Sequence, residues 1–207
     1  MKKCWLLFCL CLWGWSEVNA QRMGRNYPDT LNTKKLAWTA GVTGLTYVGG
    51  MSFLGWVWYS DVPRVPFHWY NDNAGYLQMD KMGHAYAAYG QSLLGYQALR
   101  RAGLNRNAAI WWGGSIGFFM QLPIEIFDGL YQGWGFSWGD VVANTAGSAL
   151  VMGQEWLFDE QFMRFKFSFW RSTYAEQAHG YLGQNYFESL FYDYNGHTYW
   201  LSAPISR

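Results

Sequence analysis

Charged and polar side chains interrupt three otherwise apolar stretches of this 207-residue chain. Within each stretch they recur at intervals of three or four residues, which places them on one face of a helix. Isolated ionisable groups in apolar surroundings are costly, so the three sets should meet one another. We therefore predict one shared polar cluster of Asp80, Lys81, His84, Glu125, Asp128, Ser137, Asp140 and Asn144.

Asp80 and His84 lie four residues apart and so share a helix face. There the carboxylate could orient the imidazole, or both groups could bind one metal ion. In the structural alternative, Asp80 caps the N-terminus of its helix and His84 is a hydrogen-bonded core residue. The spacing leaves both interpretations open.

The other polar residues also have structural explanations. Ser137 and Asp140 form the S-x-x-D pattern of a capping box, which accounts for Asp140 without any chemistry. Asn144 lies one turn later on the same face and has no capping role. Glu125 and Asp128 point together if the chain there is helical, and otherwise begin a solvated loop.

Four helices of a small bundle would position these groups. Sparsely charged stretches predict helices over residues 36–59, 80–102, 107–122 and 137–156. Pro123 should stop or kink the third of them. The first is long enough to span a bilayer, although its Gly and Thr residues make it a weak span.

The G-x-S-x-G sequence motif of serine hydrolases occurs at Gly113-Gly114-Ser115-Ile116-Gly117. A nucleophile elbow needs a strand before it and a helix after it, whereas this run lies inside an apolar helical stretch. We therefore interpret Gly113 and Gly117 as a small-residue contact that lets two helices pack closely.

The pattern changes after the fourth helix. Residues 158–171 mix aromatic and charged residues and predict an interfacial helix, or an amphipathic helix packed on the bundle. Asn195-Gly196 separates the aromatic runs 191–194 and 197–201, which predicts a β-hairpin with a two-residue turn. The predicted fold is thus mainly α: a small bundle of about four apolar helices, with a C-terminal interfacial helix and a β-hairpin.

The first twenty residues have the three parts of a secretory signal peptide. A basic start precedes an apolar core over residues 4–15, and Val18-Asn19-Ala20 offers compact residues before Gln21. All three cysteines lie in this segment, so the mature chain has no disulfide, thiolate metal site or catalytic cysteine. An uncleaved anchor is the alternative. After the signal peptide over residues 1–20, we predict a helical bundle domain over residues 21–157. Residues 158–207 should form an aromatic-rich C-terminal extension that contains the hairpin.

The net charge and the aromatic content of the chain indicate which classes of binding partner to expect. The formal net charge of +1 gives no basic field for nucleic acid. Phe, Trp and Tyr make up 21% of the chain, and such rings favour membrane interfaces. We therefore expect membrane lipid as a partner, and an envelope protein as a further one.

The basic clusters bear on location. Four inner-membrane spans after a cleaved signal would place Lys34-Lys35 and the 100–106 loop outside, against the positive-inside rule. We therefore expect export to the periplasm or outer membrane, with a polytopic inner-membrane protein as the alternative.

The order of these motifs resembles a known family. Asp80-Lys81-x-x-His84, Glu125-x-x-Asp128 and Ser137-Trp138-x-Asp140 with Asn144 are similar to the YfiM-like family of predicted periplasmic or outer-membrane lipoproteins of unknown function. The same order is similar to the VanZ-like membrane proteins, which are associated with glycopeptide resistance. The resemblance covers about residues 75–155 and implies a location and a fold type, without a reaction. Asn144 stands where some members carry Asp, and no lipobox precedes any cysteine.

Two classes of function fit these observations. In the first, which we prefer, a non-enzymatic, membrane-associated envelope protein uses the buried cluster to lock its helices and binds lipid or a partner. In the second, a metal-assisted hydrolase or transferase acts on a lipid or lipid-linked envelope substrate. His84 would then be general base or metal ligand, Asp80 its orienter and Glu125 a further acid. Such a ligand set suits Mg²⁺, Mn²⁺ or Ca²⁺ better than a structural zinc.

Overall fold

The computed structural model describes residues 27–205, apart from residue 29 and the side chain of Val57. The signal peptide predicted over residues 1–20 lies outside this range. Along the described chain the elements are α1 (Thr33–Tyr59), α2 (Met79–Arg101), α3 (Arg106–Gly114), α4 (Ile116–Asp128), α5 (Trp138–Phe158), β1 (Arg164–Phe169), α6 (Thr173–Gln177), α7 (Tyr186–Tyr192) and β2 (His197–Ser202). The fold is mainly helical with one small antiparallel sheet, which confirms the predicted fold class.

Side-chain caps begin several of these helices. The first N–H groups of a helix have no partner within it, and an Asn or Ser just before the helix accepts a hydrogen bond from one of them. The predicted cap at Ser137 is confirmed, since its Oγ accepts a hydrogen bond from Asp140 N at 3.2 Å. Asn32 and Asn105 cap α1 and α3 in the same way.

Helix α2 lies at the centre of the bundle and packs against α3, α4 and α5. Glycines on those neighbours bring the backbones together. A Cβ on Gly147 of α5 would lie 2.1 Å from the carbonyl oxygen of Ala85, and one on Gly117 of α4 would lie 2.0 Å from that of Ala88. Helices can approach this closely only where a side chain is missing. The core beside these contacts consists of Tyr89, Tyr96, Ala109, Ile110, Val151 and Phe165.

The predicted third helix is divided differently from our expectation. It breaks at Ser115, which ends α3 and precedes α4, and α4 then continues through Pro123 to Asp128. The pair Gly113-Gly114 has low helix propensity, which favours a break there. A proline removes one hydrogen bond and crowds the preceding turn, but a helix that packs on its neighbours can offset this cost. Ser115 therefore lies between two helices, which does not fit a nucleophile elbow. Glu125 is helical and not part of a loop.

Helix α1 packs on the bundle by one face. Tyr47 Oη donates a hydrogen bond to the carbonyl oxygen of Met120 at 3.2 Å, and Tyr59 Oη donates one to Asp128 Oδ1. The opposite face of α1 is apolar and exposed. In the part of the chain that the structure describes, no helix combines the length and apolar character needed to cross a bilayer.

The interfacial helix predicted over residues 158–171 is wrong. Residues 164–169 form strand β1, in which Phe165 is buried against the bundle and Lys166 is exposed. The helix was predicted from the spacing of Phe162, Phe165 and Phe169. Phe165, Phe167 and Phe169 instead recur with the period of two that strands require, and this alternation prevails.

The hairpin predicted at Asn195-Gly196 is also wrong, although its second strand is present as β2. Asn185 caps α7, so the residues before the turn are helical, and Tyr194–Gly196 form a short 3-10 turn. Strand β2 pairs instead with β1, with Phe169 opposite His197. The propensity of Asn-Gly for tight turns is local and cannot report a pairing partner that lies earlier in the chain.

Candidate functional site

Three helix ends meet at one end of the bundle. The first two turns of α2 supply Asp80, Lys81 and His84, the last turn of α4 supplies Glu125, and the first turn of α5 supplies Asp140. Because α4 runs into this end while α2 and α5 start from it, residues far apart in sequence become neighbours. We call the connected groups the polar cluster; its members are Asp72, Asp80, Lys81, His84, Glu125, Ser137 and Asp140.

Lys81 is the cation of the cluster. Its Nζ lies 2.5 Å from Asp72 Oδ2, 2.9 Å from Asp140 Oδ1 and 3.2 Å from Asp80 Oδ2. Burial acts to lower the pKa of Lys81, but hydrogen bonds to Asp72 and Asp140 raise it above its ordinary value. Burial likewise acts to raise the pKa of Asp72, whereas hydrogen bonds from Lys81 and Ser137 bring it below the ordinary value. The ammonium and this carboxylate are therefore both charged at neutral pH.

His84 has acidic groups on both edges of its ring. Nδ1 lies 3.4 Å from Glu125 Oε1. Nε2 lies 3.8 Å from Asp140 Oδ1 and 4.0 Å from Asp80 Oδ1. The imidazole therefore faces the deeply buried Glu125 on one edge. On its other edge it faces the buried Asp140 and the half-buried Asp80.

Glu125 is 1% exposed and belongs to the least accessible part of the cluster. Burial, together with the charges of Asp140 and Asp128, raises the pKa of Glu125 to about 9. Burial also raises the pKa of Asp128 to about 6, although a hydrogen bond from Tyr59 acts in the opposite direction. Burial raises the pKa of Asp140 as well, against the opposing effects of His84 and Lys81. Because the polar cluster and Asp128 together hold more carboxyl groups than cations, Glu125 keeps its proton at neutral pH.

Several buried polar atoms of this region make no hydrogen bond to any residue that the structure describes. They include His84 Nδ1, Glu125 Oε1 and both side-chain polar atoms of Asn144. Buried polar atoms are nearly always hydrogen-bonded in folded proteins, and exceptions often belong to functional sites.

The structure places the predicted site residues in three groups. Most belong to the polar cluster, including Ser137, whose Oγ donates a hydrogen bond to Asp72 Oδ1 at 2.7 Å. Asp128 interacts with the cluster through its charge and makes its hydrogen bond with Tyr59. Asn144 is buried one turn after Asp140, but no hydrogen bond joins it to the cluster within residues 27–205. Roles in catalysis or metal binding remain predictions for all of them.

Sequence reasoning missed three participants. Asp72 lies in the loop before α2, among aromatic and amide residues whose density was a usable signal for an ordered loop. Tyr59, at the end of α1, donates a hydrogen bond to Asp128. Tyr194, which follows α7, donates a hydrogen bond of 2.9 Å from its Oη to Asp80 Oδ1. No local pattern could have indicated either tyrosine, because both act through tertiary contacts.

The arrangement supports two kinds of chemistry. His84 and Glu125 could exchange a proton, since a neutral Glu125 has a proton to donate toward Nδ1. Asp80, His84 and Asp140 could instead share a metal ion, because one potential ligand atom from each lies within 4.8 Å of the others. Ser137 is unsuited to act as a nucleophile activated by His84, because its hydroxyl donates to Asp72.

The titration of Glu125 gives a prediction for stability. A folded-state pKa of about 9, raised from 4.5, contributes stability that is complete below pH 4.5 and lost as the pH rises to 9. One such group changes the free energy of unfolding by at most about 1.4 kcal/mol per pH unit. Glu125→Gln cannot ionise and should be more stable than the wild type at pH 8, by a margin that shrinks toward pH 5.

Urea denaturation between pH 5 and 8.5, in the presence of a chelator, measures this margin. Glu160→Gln is the control, because Glu160 is exposed beyond the end of α5. A margin for Glu125→Gln that does not change with pH would show that Glu125 is already ionised in the folded state.

Comparison with known proteins bears on the cellular location of this chain. Residues 68–153 match a family model described as "Predicted periplasmic lipoprotein (DUF2279)". The matched segment contains every member of the polar cluster. No curated protein and no solved structure matches the chain. The match supports an exported, periplasmic protein similar to a lipoprotein family of unknown function.

Proposed function

We propose that this chain is a non-enzymatic envelope protein that rests on a lipid surface through α1, while the polar cluster locks the bundle behind it. The proposal is supported chiefly by the outward face of α1. Trp38, Leu45 and Trp56 are 74%, 78% and 64% exposed. Their spacings of seven and eleven residues correspond to whole numbers of helical turns, so the three side chains form one stripe.

The composition of α1 favours lipid over water as the surroundings of this stripe. Residues 36–58 include no charged residue, although the outer face of a helix on a water-soluble bundle is normally polar. Both tryptophans belong to this stripe, and their amphipathic rings suit the headgroup region in which a helix resting on a membrane lies. Lys34 and Lys35 are exposed at its N-terminus, where they favour anionic lipid.

The polar cluster supports the locking role. Ion pairs join the loop before α2 and the start of α5 through Lys81, while His84 faces Glu125 of α4. Losing one member of such a buried network leaves its partners uncompensated, so the network favours a single arrangement of the helices.

A second candidate, the metal-assisted hydrolase or transferase, is favoured by a different observation. An apolar groove of about 540 Å³ adjoins Lys81 and is lined by Met82, Trp138 and Val142. A lipid-linked substrate could place its acyl chain there and its polar group beside Lys81. This candidate requires turnover, whereas the first requires only binding.

Flotation with lipid vesicles tests the proposed function. We expect the exported chain, beginning at Gln21, to float with vesicles of phosphatidylethanolamine and phosphatidylglycerol. A Trp38→Ser/Trp56→Ser variant should float at least about tenfold less, because each buried tryptophan contributes more than the 1.4 kcal/mol that corresponds to tenfold.

The matched control replaces two aromatic residues that are at least as exposed but lie outside α1. Trp170→Ser/Tyr181→Ser removes side chains that are 80% and 81% exposed. This control should float like the unmodified chain. Equal losses in the two double variants would reject α1 as the lipid-binding face, and no flotation of the unmodified chain would reject lipid association altogether.

A further inference from the structure

We propose that Asp80, His84 and Asp140 bind one divalent cation that accepts both nitrogen and oxygen ligands, with Mn²⁺ as the best match. This inference goes beyond the proposed function and does not depend on it, since a metal ion could stabilise the cluster whether or not α1 contacts lipid. The ligand atoms are His84 Nε2, Asp80 Oδ1 and Asp140 Oδ1.

The distances suit a shared ion. Ligand atoms held at about 2.0–2.3 Å from one ion lie roughly 3 Å apart when adjacent and roughly 4–4.6 Å apart when opposite. His84 Nε2 lies 3.8 Å from Asp140 Oδ1 and 4.0 Å from Asp80 Oδ1. Both distances lie between the adjacent and the opposite values or at the edge of the latter, and one nitrogen can be opposite only one ligand. Side-chain rotations that bring one carboxylate closer to His84 would therefore complete the site.

Glu125 is a second and independent indication. It is almost fully buried, its Oε1 makes no hydrogen bond to the described residues, and this atom lies 3.4 Å from His84 Nδ1. An imidazole that binds metal through one nitrogen usually donates its other N–H to a carboxylate. A carboxyl group can accept such a hydrogen bond whether or not it carries a proton, because its carbonyl oxygen stays an acceptor. The place of Glu125 at the far edge of the ring is therefore the one expected for the partner of a metal-binding histidine.

Two further groups support the ligand set. Tyr194 Oη donates a hydrogen bond to Asp80 Oδ1 at 2.9 Å, which orients that carboxylate. Asn144, on the same face of α5 as Asp140, has a buried side-chain oxygen and nitrogen without hydrogen-bond partners among residues 27–205. Its oxygen is of the kind that binds a hard cation or a water molecule bound to one.

Lys81 is compatible with an ion nearby. Its shortest contact, 2.5 Å, is to Asp72, and Asp72 is itself held by Ser137. It contacts Asp80 through Oδ2, whereas His84 faces Oδ1 of the same carboxylate. Only at Asp140 Oδ1 would the ammonium and the ion share an atom.

The mixed ligand set selects the class of ion. Ca²⁺ and Mg²⁺ prefer shells made only of oxygen, and structural zinc sites are usually closed by four Cys or His ligands. One imidazole and two carboxylates leave further coordination positions that water can fill, and among the oxygen-preferring ions this ligand set suits Mn²⁺. Lower affinity for Ca²⁺ and Mg²⁺ follows from the nitrogen ligand.

Electron paramagnetic resonance of free Mn²⁺ tests the proposal. Full-length protein without a histidine tag is stripped with a chelator and dialysed, and Mn²⁺ is then added. We expect the protein to remove the free Mn²⁺ signal with a Kd below about 100 μM. His84→Gln and Asp140→Asn should each weaken binding at least about tenfold, and His179→Gln, at an exposed histidine of the C-terminal region, should not.

Thermal melts with and without Mn²⁺ provide a second measurement. Because a ligand stabilises only the form that binds it, Mn²⁺ should raise the Tm of the wild type and not that of His84→Gln. If His84→Gln does not fold, the less buried Asp80→Asn takes its place. No loss of the free Mn²⁺ signal, tighter binding of Ca²⁺ than of Mn²⁺, or equal binding by the ligand variants would each overturn the proposal.

Discussion

Gly147→Ala should lower the free energy of unfolding by at least about 3 kcal/mol, the upper part of the range for overpacked cores. The new Cβ would lie 2.1 Å from the carbonyl oxygen of Ala85 and 2.9 Å from Tyr89 N. These are backbone atoms of α2, so no side-chain rotation can relieve the contact. The helices α2 and α5 would have to separate, which would also move Asp140 away from His84.

Gly153 provides the control for this prediction on the same helix. A Cβ there has nothing within 4 Å, so Gly153→Ala should be neutral or stabilise by up to about 1 kcal/mol through helix propensity. Urea denaturation of both variants measures the difference. Similar stabilities would show that α2 and α5 do not pack as closely as the structure has them.

Lys81→Met should destabilise the protein by about 3 kcal/mol at pH 7, because it leaves Asp72, Asp80 and Asp140 without their shared cation. Methionine has nearly the same length, so the loss is mainly electrostatic. At pH 5 the carboxylates can take up protons more easily, and the loss should be smaller.

Lys166→Met, on the exposed side of β1, is the matched substitution and should change stability by less than about 0.5 kcal/mol. The comparison is made from Tm and from urea midpoints at both pH values. If Lys81→Met were as stable as Lys166→Met, the ion pairs of Lys81 would contribute nothing to the fold.

The helices of the bundle could be predicted because their signals are local. The Ser137 cap and Gly103, two residues after Arg101, are signals that act within a few residues. They predicted the end of α2 and the start of α5 to within two residues. The predicted end at residue 122 was wrong, because α4 continues through Pro123 and the packing of a helix can offset the cost of a proline. Strand β1 was predicted as a helix and β2 was given the wrong partner, because the partner of each strand lies far along the chain, where no local preference reports it.

The site was partly predictable for a related reason. His84 and Asp80 are close in sequence, and the cost of isolated charges implied that Glu125 and Asp140 must meet them. That argument finds groups that need partners in apolar stretches. It could not find Asp72, which lies in a polar loop, or Tyr59, whose ring gives no such signal. Nor could it predict that Glu125 would be buried enough to keep a proton.

The hydrogen bond from Tyr194 to Asp80 has a consequence for how the protein forms. The two residues are 114 positions apart. A chain emerges from the ribosome or the translocon from its N-terminus, so the contacts among α2, α4 and α5 become available well before Tyr194 does. The bundle can therefore assemble around Lys81 and His84 first, and the C-terminal region adds the final hydrogen bond to a preformed cluster. Asp80 Oδ1 therefore gains this hydrogen bond only after the chain has been synthesised as far as Tyr194, 114 residues beyond Asp80.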